Sequence, residues 1–195
     1  MSAERTGELA EVAREAGLRV HLDGARIWNA AAALGVGADR LAAPADTVMT
    51  CLSKALGAPV GSMLAGPSDL MERAWRIRRR LGGQMRQAGI IAAGGLYALE
   101  HHLERLGDDH RRARALADGV GAVPGVSVVP PETNVVMIDV GEAGREVEVI
   151  LAELKKREVL LVPFGSGRIR AVLHLDVDDA GVERAVVAFR GATGA

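Results

Sequence analysis

The sequence predicts an α/β protein in two parts: a first half built on a mostly parallel sheet covered by helices, then a smaller α+β domain. Three observations carry this expectation. Short apolar strands alternate with Ala-rich helical periods through the first hundred residues, the pattern of a buried parallel sheet. The second half has longer strands separated by helices. The change falls between Leu106 and His110, so the two parts are set at residues 1–107 and 108–195.

Residues 3–16 have helical period, with Leu9, Val12, Ala13 and Ala16 on one face and Gly17 as terminator. A strand follows at 18–22, then an Ala-rich helix at 24–34 ended near Gly35. Residues 47–52 and 60–65 are strands. Helical period returns at 68–81, with Leu70, Ala74, Ile77 and Leu81 on one side. A long helix is expected at 88–106. Gly94 and Gly95 inside it each cost roughly 1 kcal/mol against Ala, which close packing of another segment would offset. The second half gives a helix at 109–120, strands at 126–129 and 134–140, a helix at 145–156, strands at 159–162 and 169–175, and a closing helix at 179–189.

Composition narrows the function. Apolar residues make up 49% but aromatics only 3%, so the core must be built from Ala, Val, Leu and Ile. A net charge of -1 gives no bulk reason to expect nucleic acid or an anionic membrane as partner. Arg73, Arg76, Arg78, Arg79, Arg80 and Arg86 cluster in one segment. No second basic surface accompanies them, so a solvated or subunit-facing helix side is expected there. The single Cys51 cannot form an intrachain disulfide, which fits a reducing compartment. The first residues lack the apolar core of a signal peptide, and a cytoplasmic location is expected. No Cys, His and acid cluster has metal-ligand spacing, so no metal is expected.

The chemistry concentrates on Asp23 and Lys54, each at the end of an apolar run. Ligand groups in open α/β sheets gather at the C-terminal ends of strands. A carboxylate beside a pyridine nitrogen favours its protonated form, and a lysine amine can capture an aldehyde. The pair therefore suits a cofactor that carries both groups. The plainer alternative makes Asp23 the cap of the following helix and Lys54 a loop charge. His21 alternates with Asp23 along the strand and should share its face. It is either a site residue or a packed histidine bonded to nearby backbone. Ser53 either binds phosphate or caps a turn, and His174 is expected to be structural.

Four segments resemble the threonine aldolase family, within the aromatic amino acid β-eliminating lyase group. They are VHLDGARIWNAAAALGV, SKALGAPVGSMLAG, RRRLGGQMRQAGIIAAGGLYAL and GRIRAVLHLDV, and they occur in family order. Ala55 stands where the family usually has glycine, and Leu173 where threonine is more usual. The resemblance implies a partial fold type I, aminotransferase-like large domain that binds pyridoxal 5′-phosphate, followed by the small α+β domain. It implies that Lys54 forms the Schiff base, Asp23 partners the ring nitrogen, and Arg26 lies on the hydroxyl and phosphate side. It makes Arg170 the clamp of the substrate carboxylate, with Arg168 as the nearby alternative. An arginine fork fits a carboxylate through two parallel hydrogen bonds.

The implied reaction is cleavage of a β-hydroxy-α-amino acid, such as threonine, to glycine and an aldehyde. The implied assembly is a homodimer or homotetramer. The resemblance covers the C-terminal half to three fifths of a family member. The glycine-rich phosphate cradle and a ring-stacking histidine are expected before Met1. Partnership with a complementary N-terminal polypeptide is therefore a further expectation, since sheet edges and helix faces would otherwise stay uncovered. Two other readings stay open: a non-catalytic chain that keeps the small domain and an oligomerisation surface, and a β-eliminating lyase with the same cofactor.

Overall fold

The computed structural model describes residues 1–194. The chain divides into two units, Met1–Leu106 and Gly107–Ala195.

Unit 1 opens with α1 (Ala3–Glu15), started by the Ser2 side chain, which accepts from the Arg5 N–H. Strand β1 (His21–Gly24) begins later than the expected 18–22. The reason is local. The Val20 N–H is taken by the Asp46 carboxylate at 2.7 Å, and ladder pairing starts only at His21. Helix α2 (Ile27–Leu34) ends at Gly35, whose left-handed φ of 64° suits a C-cap. A short helix, α3 (Ala38–Ala42), follows where the sequence pattern shows no element. Strands β2 (Thr47–Cys51) and β3 (Ser62–Ala65) complete a sheet of order β1-β2-β3. β1 and β2 pair in parallel, with Asp23 opposite Met49, and β3 runs antiparallel to β2.

Helix α4 (Ser68–Arg80) carries the arginine run except Arg86 and buries no residue. Ile77 is half exposed and Leu81, just past its end, is 81% exposed. Helix α5 (Gly89–His101) stops five residues short of the expected end, and α6 (Leu106–Gly121) starts anew at Leu106.

The core cluster of unit 1 is small: Leu52, Ala55, Leu56, Ala58, Ala98 and Leu106. The β1 strand is an edge strand, and β3 is exposed along its whole length. Leu9, Val12, Leu18, Met63 and Leu64 stand open to solvent, as do Trp75, Ile90 and Tyr97. Unit 1 thus combines two open sheet edges with many exposed large apolar groups.

Unit 2 is different. Its sheet has order β4-β5-β7-β6, all antiparallel, from β4 (Ser127–Val129), β5 (Val135–Asp139), β6 (Val162–Pro163) and β7 (Arg168–Val172). The strands are shorter than the sequence pattern suggests, β6 most of all. Alternation along β5 and β7 buries Val136, Ile138, Ile169 and Ala171. These join a core with residues of α6, α7 (Val147–Lys156) and α8 (Asp179–Thr193). On α7 the buried Val147, Ile150 and Leu154 follow helical spacing. The Asp178 carboxylate caps α8 by accepting from the Gly181 N–H at 2.7 Å. His174 serves the turn before α8: its ring nitrogen lies 3.3 Å from the Asp176 N–H and its carbonyl accepts from the Val177 N–H.

His110 on α6 is 3% exposed, and burial lowers its pKa below the ordinary value despite the neighbouring Asp109. The unfolded chain takes up a proton near pH 6.5 while the folded chain resists it, so the unfolded state binds more protons as pH falls. Stability is therefore full above that pH and falls below it, down to the lowered folded pKa. Urea midpoints measured about one pH unit above and one below the ordinary histidine pKa should differ in that sense, and the difference should shrink in His110→Gln. An unchanged difference in the variant would assign the effect elsewhere.

No described helix is long and apolar enough to cross a membrane.

Candidate functional site

Asp23 is the third of four residues in β1, and Lys54 lies three residues past the end of β2. Because β1 and β2 are parallel neighbours, both residues sit at the C-terminal end of the same strand pair. Neighbouring strands of a sheet lie about 4.8 Å apart.

Asp23 does not cap α2. That helix begins at Ile27 with Arg26 at the cap position and no side-chain cap bond. One Asp23 oxygen accepts from the Ala25 N–H at 3.1 Å, and the side chain is exposed. The register puts His21, Asp23, Thr47 and Met49 on one face of the sheet. His21 shares a 2.8 Å hydrogen bond with the Thr47 hydroxyl, so its partner is a side chain and not backbone. A groove of about 600 Å³ runs along this edge, lined by His21, Asp23, Gly24 and Arg26 together with Leu9 and Ala13. The Arg26 Nε is buried and has no hydrogen-bond partner.

Lys54 is held by its backbone and left free at its amine. The Lys54 carbonyl accepts from the Gly57 N–H at 2.9 Å, closing a tight turn. The turn's middle residues, Ala55 and Leu56, are buried in the unit 1 core. Helix α5 and the residues after it secure the same turn. A His102 ring nitrogen lies 2.6 Å from the Leu56 carbonyl, and Arg105 donates to the Ala55 carbonyl at 3.1 Å. No local pattern marks His102 and Arg105 for this role, since they lie 46 and 50 positions from their partners. Ser53 reaches only the Gly61 carbonyl, at 3.5 Å.

The glycine pair on α5 now has a packing reason. A Cβ on Gly94 would meet the Pro59 ring at 2.8 Å, and one on Gly95 would meet Leu52 at 3.0 Å. Gly94→Ala gains about 1 kcal/mol of helix propensity but overpacks the lysine loop, at a cost of about 1–3 kcal/mol. A net loss of about 1 kcal/mol is expected in thermal melts. A variant more stable than the parent would contradict this packing.

Arg168 and Arg170 belong to unit 2, on one face of β7. The Arg170 Nε is buried without a hydrogen bond. A separate cavity of about 360 Å³ in unit 2, lined by Leu116, Leu161 and His174 among others, includes neither arginine.

The unit 1 residues suit a ring that carries an aldehyde, a basic nitrogen and a phosphate. Lys54 offers an exposed amine, Asp23 an uncommitted carboxylate oxygen, and Arg26 a buried N–H donor with nothing to donate to.

Comparison with known proteins gives the family and the fold. Residues 1–143 match the Beta-eliminating lyase family model. The chain is 39% identical over 195 residues to Low-specificity L-threonine aldolase 1 of Arabidopsis thaliana, covering 98% of this chain and 54% of that protein. It is 43% identical over 171 residues to Low specificity L-threonine aldolase of Escherichia coli (strain K12), covering 87% and 50%. Among solved structures, Leishmania major threonine aldolase superposes with a TM-score of 0.77 at 19% identity, covering 99% of this chain and 57% of that one. LysN, an α-aminoadipate aminotransferase from Thermus thermophilus complexed with N-(5′-phosphopyridoxyl)-L-leucine, superposes at 0.69 with 18% identity, covering 97% and 54%. The chain thus spans about half the length of the curated relatives it matches. With a family model matching most of its length, this chain belongs to the beta-eliminating lyase family, and its structural neighbours give it a partial fold of the fold type I class.

Proposed function

We propose that the chain supplies the lysine–aspartate part of a pyridoxal phosphate-dependent aldehyde-lyase. The reaction is cleavage of a threonine-like β-hydroxy-α-amino acid to glycine and an aldehyde. The observation that carries this is the placement of Asp23 and Lys54 at the C-terminal end of one parallel strand pair. When bound, pyridoxal phosphate supplies an electrophilic aldehyde and a protonated ring that accepts an electron pair. Lys54 holds the aldehyde end through its amine. Asp23 keeps the proton on the ring nitrogen. Arg26 donates toward the hydroxyl and phosphate side, with Ser53 and His21 as further contacts. Arg170, or Arg168 beside it, holds the substrate carboxylate.

The open outer edge of β1 also supports a partner: a complementary polypeptide of the same family that adds a strand there, or a second copy within a homodimer or homotetramer.

The test is spectroscopic. Adding pyridoxal phosphate to the purified chain should produce a visible absorption band that disappears in Lys54→Ala. Absence of the band at saturating cofactor would favour the second reading, a non-catalytic chain retaining unit 2 and an association surface. The thin core of unit 1 is the observation behind that alternative. If the band forms, products decide the chemistry: glycine and aldehyde for aldol cleavage, pyruvate and ammonia for β-elimination.

A further inference from the structure

We propose that Phe164 is a positioning residue for the arginine pair, holding Arg168 and Arg170 so that both present donors to one carboxylate. The inference rests on the reading of Arg170, or Arg168 beside it, as the carboxylate clamp; it extends that role to both and adds the residue that orients them. Strand β6 pairs with β7 so that Val162 lies opposite Arg170 and Pro163 opposite Ile169. One step further, the Phe164 N–H donates to the Arg168 carbonyl at 2.9 Å, which puts Phe164 opposite Arg168. Side chains in directly opposite positions share a face, so Phe164, Arg168 and Arg170 lie on the same side of the sheet. The loop closing this hairpin is Gly165-Ser166-Gly167. Both glycines are left-handed, with φ of 67° and 70°.

Two guanidiniums two residues apart on a strand are roughly 6.7 Å apart at their origins and repel each other. The negative face of an aromatic ring offsets that repulsion. The Arg168 guanidinium carbon lies 5.8 Å from the Phe164 ring centroid and that of Arg170 lies 5.9 Å from it, both within cation–π range. No acid neutralises either group among the described residues. Asp139 lies opposite Arg168 in register, one of its oxygens accepting from the Gly141 N–H, and forms no ion pair with Arg168. With the Arg170 Nε buried and unused, the cluster is a pair of cations on an aromatic base with no acid in ion-pair contact among the described residues. The ring also costs little side-chain entropy to order, which suits it to fixing two long flexible arms.

The test uses the full chain labelled with ¹⁵N-arginine, the Arg168→Lys and Arg170→Lys variants assigning the side-chain signals. The Nε–H signals of both arginines should be displaced by the Phe164 ring current. They should respond to sodium acetate but not to sodium chloride at equal ionic strength. In Phe164→Leu the ring-current displacement should vanish and acetate should bind about fivefold more weakly or worse. Phe164→Tyr should restore both. Phe164 is 44% exposed, so these variants leave the core intact. Unchanged acetate affinity in Phe164→Leu would overturn the positioning role and leave the carboxylate clamp standing. No acetate response in the parent chain would overturn the clamp itself, and the proposal with it.

Discussion

Asp23→Asn is expected to weaken pyridoxal phosphate binding by about 1.5–3 kcal/mol, the range for a hydrogen bond to a charged group, or roughly tenfold to a hundredfold in Kd. The substitution keeps the shape and the Ala25 N–H contact but removes the negative charge. An amide does not stabilise a protonated ring nitrogen, so the electron-accepting property of the ring should suffer more than its affinity. Where cleavage is measured, the rate should fall by about 10²–10³, as when one preorganised electrostatic group is removed from a reacting centre. Titration of the visible absorption band gives the affinity, and aldehyde release gives the rate. Equal affinity and rate in parent and variant would remove Asp23 from the site. The carboxylate is exposed in this chain, so the lower end of the affinity range is the better expectation unless a partner covers it.

Phe189→Ala is expected to have the largest effect on stability, about 3–5 kcal/mol. Phe189 is 1% exposed and belongs to the unit 2 core, which α6, α7, α8 and one face of the sheet enclose. Few single side chains here remove as much contact, because the chain has so few aromatics. The aromatic distribution also supplies the assay. Trp28 and Trp75 both lie in unit 1, so tryptophan fluorescence follows unit 1 while circular dichroism follows both units. The variant should lower the urea midpoint of a circular dichroism transition and leave the fluorescence transition in place. Movement of both together would mean that the two units unfold as one. In the parent chain, unit 1 should unfold at the lower urea concentration, because six residues form its core cluster against nineteen in unit 2.

Much of the candidate site is legible in the sequence because its residues are marked by local pattern. Asp23 and Lys54 each stand at the end of a short apolar run, and runs of that kind become strands with ligand groups at their ends. Arg168 and Arg170 are legible as a pair because strand periodicity alone places residues two apart on one face. The helix-cap reading of Asp23 is equally consistent with the local sequence. It fails because β1 extends through Gly24 and α2 starts at Ile27. The supports of the lysine turn are not legible. His102 and Arg105 reach carbonyls far away in sequence, and no spacing rule encodes such a meeting. Phe164 escapes sequence reasoning for the same reason: its relation to Arg168 and Arg170 depends on the register of β6 on β7.

Element types, the chemical identity of the two key groups and the sparse aromatic content of the core follow from residue order and local periodicity alone. Those properties depend on neighbours within a few positions of each other. Pairing register, the open edge of β1 and the contrast between a thin core and a full one belong to the tertiary structure. They depend on which distant surfaces meet, and hydrophobic burial is non-directional: it drives apolar faces together without specifying the partner.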